Sequence, residues 1–291
     1  MIPYKKILVP TDGTNDTRVA ITFALGIAKM SGARVTALCV NDLSNYQIPY
    51  DASAPDTDSP HYKACENAVR TVADQGEQMG VDVNPRVVTG IPIREIIDAS
   101  ENYDLIVMGT AGRAGISLLL LGSVAQKVIR FASCPVLVIR GDQPGSLACH
   151  RILIPTDGTD LTRAAITHGL EIARTFRAEV TALSVSNVRN IPVSSGGNAG
   201  ECTPHTGQEA VDYVADKGRK LSIKVKPVVV TGSVANEIIR ASADHDLRVM
   251  GTSGRTGFEY LRLGSVAEKT VRHARCPVLV VRAPETILLK I

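Results

Sequence analysis

Short apolar runs alternate with amphipathic stretches along the whole chain. Ile7–Val9, Val35–Val40, Val83–Val88, Leu105–Met108 and Val136–Ile139 are rich in β-branched residues. Several are apolar at successive positions, the pattern of strands buried on both faces of a parallel sheet. Between them, 14–30, 61–79, 92–101 and 123–131 carry helical spacing. In the first of these, Ala20, Phe23, Ala24, Ile27 and Ala28 fall on one face, with Thr14 in capping position. Strand, helix, strand in repetition predicts an α/β doubly wound parallel sheet of five strands with right-handed crossovers.

The pattern then begins again. Lys6-Ile7-Leu8-Val9-Pro10-Thr11-Asp12-Gly13-Thr14 returns as Arg151-Ile152-Leu153-Ile154-Pro155-Thr156-Asp157-Gly158-Thr159, and Cys134-Pro135-Val136-Leu137-Val138 as Cys276-Pro277-Val278-Leu279-Val280. Val88-Thr89-Gly90 and Val107-Met108-Gly109-Thr110 match Val230-Thr231-Gly232 and Val249-Met250-Gly251-Thr252. A self-similarity of this length means two tandem domains, assigned to residues 1–142 and 150–291. The second copy is shorter by three residues between Val185 and Val230. The segments 41–60 and 186–204, rich in Ser, Asp, Pro, Gly and Asn, read as exposed variable loops.

Bulk properties narrow the function. With 291 residues, 44% of them hydrophobic, the chain has material for two packed cores. The net charge of +3 is spread without basic runs, and aromatic residues are only 4% with no Trp, so nucleic acid is not an expected partner. The start has no leader-like apolar region, and the strongest apolar stretch, 116–121, is far below the ~20 residues that span a bilayer. The expectation is a cytoplasmic protein without a membrane span. Six cysteines without framework spacing suit reduced thiols, with Cys39, Cys134 and Cys276 read as small buried hydrophobes.

In doubly wound sheets, ligands bind outside the carboxyl ends of the strands at the switch point of strand order. Two loops at that edge stand out. Pro10-Thr11-Asp12-Gly13 sets a carboxylate just beyond the first strand. After the fourth strand come Gly109, Gly112 and Arg113, then Gly122-Ser123-Val124 opening a helix. Backbone N–H groups exposed by glycine, together with the positive end of a helix, form a cradle for phosphate, and Arg113 adds charge. Taken alone, such glycines serve equally well as sharp turns. Gly251, Gly254, Arg255, Gly264 and Ser265 repeat the arrangement at identical spacing.

The spacing G-x-x-G-x(9)-G-S, preceded by a P-x-D strand end and followed by a C-P-V-L-V strand, resembles the universal stress protein family, twice over. The resemblance implies an adenine nucleotide α-hydrolase-like fold and ATP as ligand, with Mg or Mn. It puts the acidic residue after the first strand near ribose, backbone at the end of the second strand against adenine, and the glycine loop on the phosphates. Carried over, Asp12, Val40, Gly109, Gly112, Gly122 and Ser123 form a first site lined by Pro10, Thr11, Met108, Arg113 and Val124. Asp157, Val185, Gly251, Gly254, Gly264 and Ser265 form a second, lined by Pro155, Thr156, Met250, Arg255 and Val266. Family dimers pair through their last strands, which implies that 135–139 and 277–281 meet in an intramolecular pseudo-dimer, with a homodimer a further option. A role in stress response or regulation follows from the resemblance alone.

Other residues weigh less. Arg248, where the first copy has Ile106, is expected to snorkel at a domain interface or to mark an altered second copy. His61, Cys65, Cys202 and His205 could supply four zinc ligands but read more simply as exposed loop groups, and Asn41-Asp42 reads as a turn. No catalytic residues are assigned. The chain lacks the Walker-type phosphate loop and the adenylation and nucleotidyl-transfer signatures, so slow ATP hydrolysis or substrate adenylation are alternatives, as is an interaction scaffold without nucleotide.

Overall fold

A computed structural model describes residues 4–42, 57–110, 121–141, 149–186, 207–252 and 263–283. The chain divides into two units, Met1–Leu147 and Ala148–Ile291. In the first, β1 (Lys6–Pro10), α1 (Asn15–Ser31), β2 (Arg34–Asp42), α2 (Pro60–Met79), β3 (Val83–Gly90), α3 (Pro92–Ala99), β4 (Leu105–Gly109), α4 (Ser123–Phe131) and β5 (Val136–Ile139) follow in order. All pairings are parallel and the strands lie in the order β3-β2-β1-β4-β5. The second unit repeats this with β6 (Arg151–Pro155), α5 (Asp160–Phe176), β7 (Glu179–Ser186), α6 (Gly207–Lys220), β8 (Val225–Thr231), α7 (Val234–Ala241), β9 (Leu247–Gly251), α8 (Ser265–His273) and β10 (Val278–Val281). Its order is β8-β7-β6-β9-β10.

The apolar runs form central strands because both of their faces are covered. Ile7, Leu8 and Val9 of β1 and all of β4 are buried, as are their counterparts in β6 and β9. Helix ends follow local chemistry. Ser59 caps α2 by accepting a bond from the Tyr62 N–H at 3.2 Å, Pro60 opens the helix, and Gly80 ends it in the left-handed conformation. The apolar face of α2, Cys65, Ala68, Val69, Val72 and Gly76, lies at helical spacing. At Gly76 the helix approaches β3 so closely that a Cβ would collide with Val83. The outer strands β3 and β8 are the most exposed, and each carries a proline, Pro85 and Pro227, flanked by Arg86 and Lys226.

Three expectations are corrected. Thr14 stands at the N-cap of α1, but its side chain does not cap the helix and binds Asp12 instead. Asn41 and Asp42 end β2 and make no turn. Arg248 does not snorkel. It is fully buried in β9, with Nη1 donating weakly to the Thr270 carbonyl at 3.5 Å and a contact to Cys276. Its Nε and Nη2 have no partner, and burial lowers its pKa to about 10.

The second unit also contains two half-buried histidines where the first has other residues. The His245 ring is held at both nitrogens: Nδ1 donates to the Ala241 carbonyl at 2.7 Å, and Nε2 meets Thr181 Oγ1 at 2.9 Å. Burial lowers the pKa of His245 and of His168. The aligned residues of the first copy are Tyr103 and Phe23. A histidine whose folded pKa lies below its unfolded value stabilises the fold above that unfolded value, near 6.5, and the contribution is lost as pH falls through the folded pKa. Urea midpoints of the full chain should therefore drop as pH falls below about 6.5. The H168F/H245Y double variant should show a smaller drop, and an identical one would remove the histidines as its cause.

Candidate functional site

β1 and β4 are neighbours, with Ile7 beside Leu105 and Leu8 beside Ile106, while β2 flanks β1 on its other side. The sequence direction of the connections reverses between β1 and β4, and a cleft opens at the carboxyl edge of such a pair. Both singled-out loops leave the sheet there. Pro10 is the last residue of β1, and Thr11 continues its pairing by donating N–H to the Leu38 carbonyl at 2.9 Å. Met108 and Gly109 end β4, and Thr110 N–H donates to Ile139 O at 3.1 Å. Val40, opposite Val88, lies near the end of β2.

The first loop is a closed network of short side chains. Asp12 Oδ1 accepts from Thr14 N–H at 3.0 Å and from Thr14 Oγ1 at 2.7 Å. Thr11 Oγ1 accepts from Gly13 N–H at 3.2 Å and meets Thr17 Oγ1 at 3.2 Å, and Thr17 donates to Thr14 O at 2.9 Å. Gly13 has φ +77°, and a Cβ there would press on Ala68 of α2 at 3.1 Å, so this corner requires glycine on both counts. The carboxylate of Asp12 is thereby held at the end of β1 by two bonds from Thr14, within a loop that the Thr11, Gly13 and Thr17 bonds close.

At the second loop, Gly122 N–H donates to Thr110 O at 2.7 Å, which joins the residue after β4 to the residue before α4. Gly122 is the N-cap of α4 and offers no side-chain acceptor to the first turn, which contains no acidic residue. The N–H groups that begin α4 at Ser123 and Val124 thus stand at the positive end of the helix dipole without a side-chain cap. Asn41, two residues beyond Cys39 on β2, donates to Thr89 Oγ1 at 3.4 Å, and its Oδ1 is buried without a partner.

The second unit reproduces this network nearly bond for bond. Asp157 Oδ1 accepts from Thr159 N–H at 3.0 Å and Oγ1 at 2.7 Å, Thr156 meets Thr162 at 3.1 Å, and Gly264 N–H donates to Thr252 O at 2.8 Å. Pro155 ends β6, Met250 and Gly251 end β9, Val185 lies in β7 opposite Val230, and Ser265 and Val266 begin α8. Gly112, Arg113, Gly254 and Arg255 lie outside the described residues, as do Cys202 and His205. The sequence reading missed the roles of Thr17 and Thr162, although T-D-G-T-x-x-T stands in both copies and the repetition was a usable signal.

Cysteine use also differs from expectation. Cys39 and Cys65 are joined by a disulfide between β2 and α2, which corrects both the reduced-thiol reading of Cys39 and the exposed or zinc-binding reading of Cys65. Cys134, Cys149 and Cys276 are free and buried, and burial pushes the thiols of Cys134 and Cys149 up to about 12. No group of three or more metal-binding side chains converges among the described residues. Nor is any helix among them long and apolar enough to cross a membrane.

Comparison with known proteins places this geometry in a family. The universal stress protein family profile matches residues 3–140 and 149–282, one match per unit. A universal stress protein of Mycolicibacterium smegmatis is 29% identical over 285 residues, covering 95% of this chain and 96% of its own. One from Methanocaldococcus jannaschii is 39% identical over 140 residues, which is 47% of this chain and 82% of the relative. In three dimensions, a universal stress protein from Archaeoglobus fulgidus covers 97% of both chains with a TM-score of 0.71 at 24% identity, a likeness of fold. The chain belongs to the universal stress protein family, as a tandem member with two such domains in an α/β, parallel-sheet fold.

Proposed function

We propose that each domain binds ATP at its switch point and that the protein acts in a cytoplasmic stress or regulatory response through nucleotide-dependent shape or partner binding. The observation that carries this reading is the coincidence, in both units, of a held carboxylate and an uncapped helix start at the same sheet edge. Asp12 and Asp157 would face the ribose, with Val40 and Val185 backbone against the base. Gly109, Gly122, Ser123, Gly251, Gly264 and Ser265 would cradle the phosphates. Pro10, Thr11, Met108 and Val124, with Pro155, Thr156, Met250 and Val266, would line the two sites, and Gly112, Arg113, Gly254 and Arg255 belong to the same proposal through their spacing. Mg or Mn would enter on the phosphates, since the described side chains converge on no cation cage of their own.

The test is nucleotide extraction from the purified chain with mass analysis, followed by calorimetric titration with Mg-ATP. The expected result is adenine nucleotide in the extract and two equivalents bound, falling to one in Asp12→Ala and to none in the double variant with Asp157→Ala. An empty extract with no titration heat would leave the scaffold reading in its place. Phosphate release that depends on Asp12 and Asp157 would instead favour the slow ATPase.

A further inference from the structure

The Cys39–Cys65 pair lies where a covalent bond would act on the first site and on nothing equivalent in the second. Cys39 is in β2 and Cys65 in the second turn of α2, their Cα atoms 5.3 Å apart and both side chains buried. On β2, Cys39 shares a face with Asn41, whose Oδ1 is without a partner. On α2, Cys65 is one turn from Ala68, against which Gly13 of the Asp12 loop is packed. The pair therefore ties the helix that backs the Asp12 corner to the strand that carries Val40.

The second unit supplies the comparison. Ser184 stands for Cys39 and is buried in β7, and Gly207 opens α6 where Cys65 would align. A Cβ built on Gly207 would lie 3.2 Å from Ser184 Oγ, so the same two positions face each other there without sulfur. Both copies of the duplicated fold bring this pair of positions together, and only the first copy equips both with thiols.

We propose that Cys39 and Cys65 form a reversible dithiol–disulfide pair that makes nucleotide binding at the first site, and only there, depend on redox state. In a reducing compartment the pair is a dithiol. A peroxide oxidises it in two steps. One thiolate attacks a peroxide oxygen, the O–O bond breaks, hydroxide leaves and takes up a proton to become water, and a sulfenic acid remains. The second thiol attacks that sulfur, the S–O bond breaks and a second water leaves. Two electrons pass from the sulfurs to one peroxide, and a small dithiol reverses the change by exchange, itself becoming a disulfide. Because both sulfurs are buried, the first turns of α2 must lift for either reagent to reach them, so the rate follows local opening of that helix. Closure of the bond preorganises the wall behind Asp12 and tightens binding.

This inference rests on the nucleotide reading for its effect on affinity, but not for the bond or its hold on α2. The test uses the full chain, reduced with dithiothreitol or oxidised with hydrogen peroxide. Peptide mapping should find Cys39 linked to Cys65 in the oxidised sample, reversed by dithiothreitol, with Cys134, Cys149 and Cys276 alkylatable after unfolding in both. Hydrogen exchange over 60–69 should slow on oxidation, while 207–216 should not change. In the Asp157→Ala background, Mg-ATP should bind the oxidised first site roughly tenfold more tightly than the reduced one, by preorganisation. The C39S/C65G variant, which copies the second unit, should lose the difference. Failure of the bond to form or to be reduced would overturn the proposal, as would equal affinity in the two states. Absence of ATP binding in both states, with exchange on 60–69 still redox-dependent, would overturn the nucleotide reading and leave a redox device without that ligand. If exchange is unchanged as well, the redox device fails on its own account.

Discussion

Replacing Arg248 with isoleucine should make the protein more stable. The guanidinium is fully buried in a central strand, keeps Nε and Nη2 unpaired and reaches only a distant carbonyl and a thiol. A pKa lowered from 12.5 to about 10 corresponds to about 3 kcal/mol of preference against the charged form, at 1.36 kcal/mol per unit. The lowered folded pKa still lies well above neutrality, so at pH 7 the side chain is charged in both states and the whole penalty falls on the folded one. The first copy shows that isoleucine fits, since Ile106 is likewise fully buried in β4. Exchanging a buried charge for a packed apolar group typically gains about 1–4 kcal/mol. Chemical denaturation of R248I should show a higher midpoint for the second transition if the domains unfold separately, or for the single one if they do not. A lower midpoint would mean that the arginine has a partner of consequence.

The second large effect concerns the phosphate cradle. Gly122 has φ −61° and ψ 151°, values that proline also adopts, so Gly122→Pro leaves this backbone conformation accessible. It removes the N–H that donates to Thr110 O at 2.7 Å and ties the end of β4 to the start of α4. A net loss of about 0.5–1.5 kcal/mol per hydrogen bond, all of it felt by the ligand-holding loop, amounts to roughly a twofold to twelvefold loss of ATP affinity at the first site. The second site, with its own Gly264 to Thr252 bond of 2.8 Å, should be unaffected, and Gly264→Pro should show the converse. Two-site calorimetry separates the outcomes. Equal weakening of both sites by either variant would mean that the loops act jointly, and no weakening that they do not hold the ligand.

How much of this could be read beforehand depended on whether the determinant was local. The strands were legible because a run such as Ile7-Leu8-Val9 has only one stable place, inside a sheet covered on both faces. The Asp12 and Gly122 loops were legible because the duplicated spacing exposed them. The disulfide was not: Cys39 and Cys65 are 26 residues apart, and only the packing of α2 on β2 brings them together. Thr14 was misread for a nearby reason: its hydroxyl donates to the Asp12 carboxylate, and in that orientation its oxygen accepts no bond from the first N–H groups of α1. Arg248 was misread because the habit of long cations to reach solvent needs a nearby surface, and a central strand has none.

The prolines of the outer strands bear on what the protein avoids. A long parallel edge rich in valine, as in Val87-Val88 or Val228-Val229-Val230, is a template on which another chain could add a strand. Pro85 and Pro227 each delete an amide from that template, and Arg86 and Lys226 place charge beside the gap. Each of these outer edges thus carries, in its own sequence, a gatekeeper against strand addition and the aggregation that follows from it.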